Sequence, residues 1–155
     1  MLLAAALLAP AWTVQVDPLT TALGFVHVQV ERAVAERVSV YLGPSLRLFD
    51  APFGEPANVR GLGAEAGVRV FLDPTAPAGW WAGVRGVLAQ VESAGDGPAE
   101  TALGGYGRVL AGYTWIHDWL VLAGGLGVQY LHYTAGGEGI EGVLPAAHTT
   151  VGVAF

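Results

Sequence analysis

Residues 37–49 read RVSVYLGPSLRLF. Val38, Val40, Leu42, Pro44, Leu46 and Leu48 hold one parity, and Arg37, Ser39, Tyr41, Gly43, Ser45, Arg47 and Phe49 hold the other. Side chains of a strand point alternately to its two faces, so this stretch predicts a strand with an unlike solvent on each side. The pattern recurs along the chain. In 61–72, Leu62, Ala64, Ala66, Val68, Val70 and Leu72 oppose Gly61, Gly63, Glu65, Gly67, Arg69 and Phe71. In 24–32, Val26, Val28 and Val30 oppose Phe25, His27, Gln29 and Glu31. Segments 79–92, 102–115, 119–133 and 147–155 alternate in the same way.

These segments run to about 9–14 residues, whereas strands of soluble domains average about 5–6. A tilted strand needs about 9–11 residues to cross a bilayer. The connectors alternate too. Segments 33–36, 73–78 and 116–118 are short, and 50–58, 93–101 and 134–144 are long, polar or rich in Gly and Pro. Short turns at one end and long loops at the other are the habit of outer-membrane barrels. Seven strands are clear, and such barrels use even numbers. The eighth is expected in 12–17, WTVQVD, followed by one helical turn over 18–23. Asp17 caps that turn, Pro18 opens it and Gly24 stops it.

Composition agrees. The chain has 155 residues, 53% of them apolar and only 13% charged. A soluble domain averages about 25% charge, so the supply here is short by roughly half. Disorder is excluded, because disordered chains are charge-rich and apolar-poor. With no cysteine, disulfide scaffolds and Cys-ligated metals are excluded as well. The formal charge is -6 and there is no Lys, which argues against nucleic acid as a partner. Residues 2–11, LLAAALLAPA, end in a small-residue triplet and read as a signal-peptide remnant over 1–11. The rest, 12–155, reads as one β-barrel domain. Residues 119–137 are long enough for a membrane helix, but their glycines, Gln129 and His132 fit the alternation better.

Three features complete a pattern: Asp17-Pro18-Leu19, Glu31-Arg32 closing the next strand, and a terminal Phe155. With them, residues 12–155 resemble the small outer-membrane β-barrel proteins of the OmpA-like and OmpX-like class, including its uncharacterised barrel-domain families. The resemblance implies an all-β, eight-stranded, antiparallel, up-and-down transmembrane barrel in the bacterial outer membrane. It implies that Phe155 on its alternating strand is the assembly signal read by the barrel assembly machinery. Lipid and lipopolysaccharide are the other implied partners, and no cofactor is.

If the apolar faces meet lipid, the other faces line a lumen. Arg37, Arg47, Arg69, Arg85 and Arg108 then point inward with Glu31 and Glu65, joined by Tyr41, Tyr106, His27 and Gln29. An Arg facing lipid at mid-depth costs about 2–4 kcal/mol, which explains their shared parity. Eight strands leave an interior just wide enough for side chains, so a plugged polar lumen is expected. Glycines 61, 63, 67, 104, 107, 125 and 127 would give room for long Arg side chains or close strand contact. Trp80, Tyr113, Trp115 and Trp119 are expected in two aromatic belts at headgroup level.

A structural or surface-interaction role through the three long loops is therefore expected, and no enzyme activity. Their acidic residues, Asp50, Glu55, Asp96, Glu100, Glu138 and Glu141, read as solvated. Three alternatives stand beside this role. One is a soluble lipocalin-like barrel with an apolar interior and an apolar ligand. Another is a narrow anion-favouring pore. The third is a lipid A-modifying barrel enzyme, for which Ser39, Ser45 and Ser93 are the only serines. His148 is followed by Thr149 and Thr150, not by the His-x-Ser arrangement of a deacylase, and neither a metal motif nor a phosphate loop occurs.

Overall fold

The computed structural model describes residues 12–48, 58–93 and 99–155. The signal-like run 1–11 lies outside the described residues, as do most of the expected loops 50–58 and 93–101. The elements are β1 (Trp12–Val16), α1 (Pro18–Ala22), β2 (Phe25–Ala35), β3 (Val38–Arg47), β4 (Val59–Phe71), β5 (Gly79–Ser93), β6 (Thr101–His117), β7 (Leu120–Ala135) and β8 (Glu138–Ala154). Each strand pairs antiparallel with the next, and β1 pairs with β8 to close the barrel. The eight-stranded, up-and-down barrel with a short first strand is thus the observed fold. Among the described residues no helix is long and apolar enough to cross a membrane, and 120–135 is strand β7.

The start of the chain folds as its residues dictate. Asp17 Oδ1 accepts from Thr20 N at 3.0 Å, and Pro18 supplies a first helical position that needs no N–H. Gly24, at φ +90°, ends the turn and lets β2 reverse direction. The seam between β1 and β8 is short, running from Thr13 opposite Ala154 to Val16 opposite Val151. Beyond it α1 packs between β2 and β8, with Leu19 N donating to Thr149 Oγ1 at 3.2 Å.

Two expectations need correction, and a third holds in part. The segment 134–144 is not a loop. β7 and β8 continue to a two-residue turn, Gly136–Gly137, at φ +60° and +81°. Two successive positive φ values are what a tight hairpin turn requires, and glycine adopts them without strain. Arg37 does not enter the lumen. A register shift between Ala33 and Ala35 carries β2 on to Ala35, so Arg37 falls in the turn before β3. It is exposed there and donates to the Leu72 carbonyl. Of the two uses expected for the glycines, close strand contact holds, while the side chains given room at Gly67 and Gly125 are aromatic rings and not arginines. A Cβ at Gly67 would sit 2.2 Å from Tyr41 Cζ, one at Gly125 would sit 2.8 Å from Trp81, and one at Gly127 would sit 1.9 Å from Val109 O. Gly107 faces outward with open space above it.

The interior is layered. Near the short turns lie Phe71, Ala76, Trp81, Leu110 and Ala146. The middle holds Gln15, His27, Gln29, Glu31, Ser39, Glu65, Arg69, Arg85, Arg108 and His148, all buried. At the other end Val59, Val87, Ala89, Val91, Leu131, Tyr133 and Ala135 form a second apolar cluster. The exterior changes in register with this. Down β4, Arg60 gives way to Leu62, Ala64, Ala66, Val68, Val70 and Leu72; along β5, Glu92 and Gln90 give way to Leu88, Gly86 and Val84. Below the level of Leu62 and Leu88 the wall is apolar outside and polar in its middle layer. Above that level the exteriors of β4 and β5 turn polar, while Leu48 and Leu103 beside them stay apolar, and the interior is the apolar cluster with Arg47 buried next to it. Leu62 and Leu88 are 67% and 69% exposed.

A side chain cannot be added where a buried ring already lies. Gly67→Ala is expected to lower the unfolding free energy by about 1–3 kcal/mol, whereas Gly107→Ala should change it by less than about 0.5 kcal/mol. Equilibrium urea unfolding of the two variants measures the contrast.

Candidate functional site

The middle layer is a network spanning seven strands and the cap of α1. Glu31, on β2, is fully buried and gathers three donors. Gln15 Nε2 lies at 2.8 Å, Arg69 Nη1 at 2.7 Å, and Ser39 Oγ also donates. A carboxylate can accept several such bonds, and those from charged donors are the strong ones. Gln15 is itself fixed from the other side by Thr150 of β8. The seam between β1 and β8 is therefore stitched by side chains as well as by backbone.

Arg69 also donates to His148 Nε2 at 2.8 Å. Arginine can only donate, so Nε2 is the acceptor and Nδ1 carries the ring proton. That proton goes to Asp17 Oδ2, 3.1 Å away. The neutral tautomer is thus assigned by its neighbours. Arg85 Nη1 stands 3.2 Å from the same Nδ1, while its Nη2 donates to Glu65. Glu65 Oε2 also lies 2.9 Å from His27 Nδ1, and the far nitrogen of His27 meets Tyr106 OH at 3.2 Å. Rings complete the shells of the guanidiniums. Arg69 lies 4.9 Å from the Tyr41 centroid and 4.6 Å from Trp81, and Arg108 lies 4.1 Å from Tyr106.

Of the lumen residues expected from sequence, Glu31, Tyr41, Glu65, Arg69, Arg85, Tyr106 and Arg108 come together here. Arg47 is buried nearer the loop end, over the Phe25 ring at 4.5 Å, with Nη1 3.4 Å from the Leu23 carbonyl. Sequence reasoning missed three members. Gln15 and His148 share the inward parity of Thr13 and Thr150, so alternation alone could have placed them. Asp17 reaches inward from a helix cap, where alternation says nothing. Trp81, on the inward parity of β5, was read without its role as the platform for Arg69.

The aromatic residues form one belt, not two. Trp80 sits directly opposite Tyr113, their rings in a T-shaped contact at 5.1 Å, and Trp115 and Trp119 follow at the same end. Trp12 and Phe155 join them, each pairing its backbone with the other. At the opposite end Tyr130 is the exposed large aromatic among the described residues. The two-belt expectation failed because alternation reports the face of a strand and not the height on it.

Of the three serines, Ser39 donates to Glu31, Ser45 is buried, and Ser93 Oγ accepts from Glu100 N at 2.9 Å. Among the described residues no three metal-ligating side chains converge. Fold and interior together define a closed eight-stranded barrel whose charged middle layer is capped at both ends. Comparison with protein-family models, curated proteins and solved structures finds no match for the chain.

Breaking a buried ion pair leaves its partner uncompensated. Glu31→Gln should therefore lower the unfolding free energy by about 3–5 kcal/mol, and pairing it with Arg69→Met should recover part of that loss. A double-mutant cycle by urea unfolding reads the coupling.

Proposed function

We propose that the chain is a bacterial outer-membrane β-barrel protein with a plugged lumen and a structural or surface-interacting role. The observation that carries this reading is the reversal of polarity along the same strands. A wall that is apolar outside and charged within suits a lipid surrounding, and one that is polar outside and apolar within suits water. From Leu62 to Leu72, one residue past the end of β4, the apolar exterior spans ten residue-to-residue rises. That is about 33 Å of strand, or about 25 Å of height at a tilt near 40°, the height of a membrane barrel's apolar band. The aromatic belt at the turn end supplies one headgroup boundary, and Arg60, Gln90, Glu92, His132 and Glu141 supply the other. The expected partners are lipid, lipopolysaccharide and the barrel assembly machinery.

A lipocalin-like carrier is less well supported, because its ligand would need an apolar cavity where this chain buries ion pairs. A pore is also less well supported. Ions would have to pass two apolar layers, and planar-bilayer recordings should show no stepwise conductance above the bare membrane. Steady single-channel steps would overturn the plugged reading.

Detergent-folded protein should migrate differently on a denaturing gel before and after boiling. Leu126→Arg, midway up the exterior of β7, should lose about 2–4 kcal/mol of stability in lipid, and His132→Arg near the rim about 0–1. Equal tolerance of both, with solubility in plain buffer, would sink the membrane reading. Phe155→Ser leaves the backbone pairing with Trp12 in place. It should still reduce the yield of assembled barrel in cells if the terminal aromatic is the assembly signal.

A further inference from the structure

The apolar exterior of the barrel is not uniform. Leu42, Ala66, Gly86 and Gly107 lie side by side in one row across β3 to β6. Below them Val40, Val68, Val84, Val109 and Val128 form an unbroken row. Above them stand Leu62 and Leu88. Between these walls runs a trough of about 900 Å3, lined by Leu42, Pro44, Ala64, Ala66, Gly86 and Leu88. From Ala66 to Gly107 its floor crosses two strand spacings, about 10 Å.

The fold does not demand the two floor glycines. A Cβ at Gly86 or Gly107 would meet nothing within 4 Å, and neither residue has a positive φ. Interior glycine weakens a strand, and where no neighbour in the chain needs it, it marks close approach by something else. Gly124, the other described strand glycine of this kind, stands alone opposite Tyr113.

The polar rim caps the trough. Arg60 follows Leu62 up β4, and Gln90 and Glu92 follow Leu88 up β5. With Leu48 and Leu62 they line a hollow of about 440 Å3 that adjoins the trough on both strands. Arg60 and Glu92 are exposed and directly opposite each other, and no ion pair joins them. The cap thus offers a guanidinium and a carboxylate side by side, above an apolar floor with room for two acyl chains. A guanidinium donates to phosphate, and a carboxylate accepts from an ammonium group. A headgroup with phosphate alone would meet Glu92 as a like charge.

We infer that the trough and its cap bind one two-chain phospholipid with a zwitterionic phosphoethanolamine headgroup. The phosphate lies on Arg60, the ammonium on Glu92, and the acyl chains run down over Ala64, Ala66, Gly86 and Gly107. The inference rests on the membrane reading and adds to it a lipid held at one place on the wall.

The test is native mass spectrometry of the detergent-folded barrel, mixed in turn with phosphatidylethanolamine, phosphatidylglycerol or lipid A at equal mole fraction. One phosphatidylethanolamine should stay with each barrel, held about tenfold more tightly than phosphatidylglycerol. R60Q and E92Q should each remove most of that preference, and G86L, which fills the trough, should lose the bound lipid. R32Q, exposed at the turn end, should keep it. A gel shift on boiling checks that each variant has folded. Equal retention of the two phospholipids, preferential retention of lipid A, or retention unchanged in both R60Q and G86L would overturn the site, while the gel shift still upholds the membrane reading. A wild-type barrel that shows no shift and dissolves in plain buffer overturns both.

Discussion

Eight strands closed on themselves enclose a space only about one side chain deep from each wall. Inward groups are therefore brought within reach of side chains from neighbouring and facing strands alike. Glu31 shows the consequence. Its carboxylate is met from β1 by Gln15, from β3 by Ser39 and from β4 by Arg69. The same narrowness explains the inward glycines. A ring such as Tyr41 or Trp81 can lie flat against the wall only where the strand beneath lacks a side chain, at Gly67 for one and at Gly112 and Gly125 for the other. The rings then face the guanidiniums, so space and charge are resolved by the same residues.

The layering has an energetic logic. Charged groups in the middle are kept apart from both ends by apolar clusters, one around Phe71 and Trp81 and the other around Val91 and Tyr133. Exclusion of water strengthens each ion pair, and it raises the cost of any group left unpaired by the same means. The interior is thus stiff in its middle and intolerant of single changes.

Much of this was legible in the residues. Period-two alternation assigned the faces of nearly every strand, because a one-residue slip would have turned Arg69 and Arg85 outward. Asp17-Pro18 announced the helical turn. The errors came where alternation carries no information. Arg37 was misplaced because a register irregularity near Ala33 lengthened β2. The hairpin end at 134–144 was read as a loop from its glycines, although Gly136-Gly137 is itself a signature of a tight turn. Height along the barrel depends on the register between strands, so neither the single aromatic belt nor the layered interior could be seen one strand at a time. Asp17 and His148 are 131 residues apart, and only closure makes them neighbours.

That closure has a kinetic side. The seam joins residues 13–16 to residues 151–154, and the bonds that neutralise the middle layer cross it twice, at Gln15 with Thr150 and at Asp17 with His148. Hairpins between successive strands need only local contacts, but this last joint spans nearly the whole chain. An open sheet would hold its carboxylates and guanidiniums half-solvated, with Gln15 and Asp17 cut off from the strand that completes them. Formation of the charged layer and completion of the wall are therefore one event. The first and last strands thus bring to their shared seam both the backbone pairing that completes the wall and the side chains that complete the charged layer.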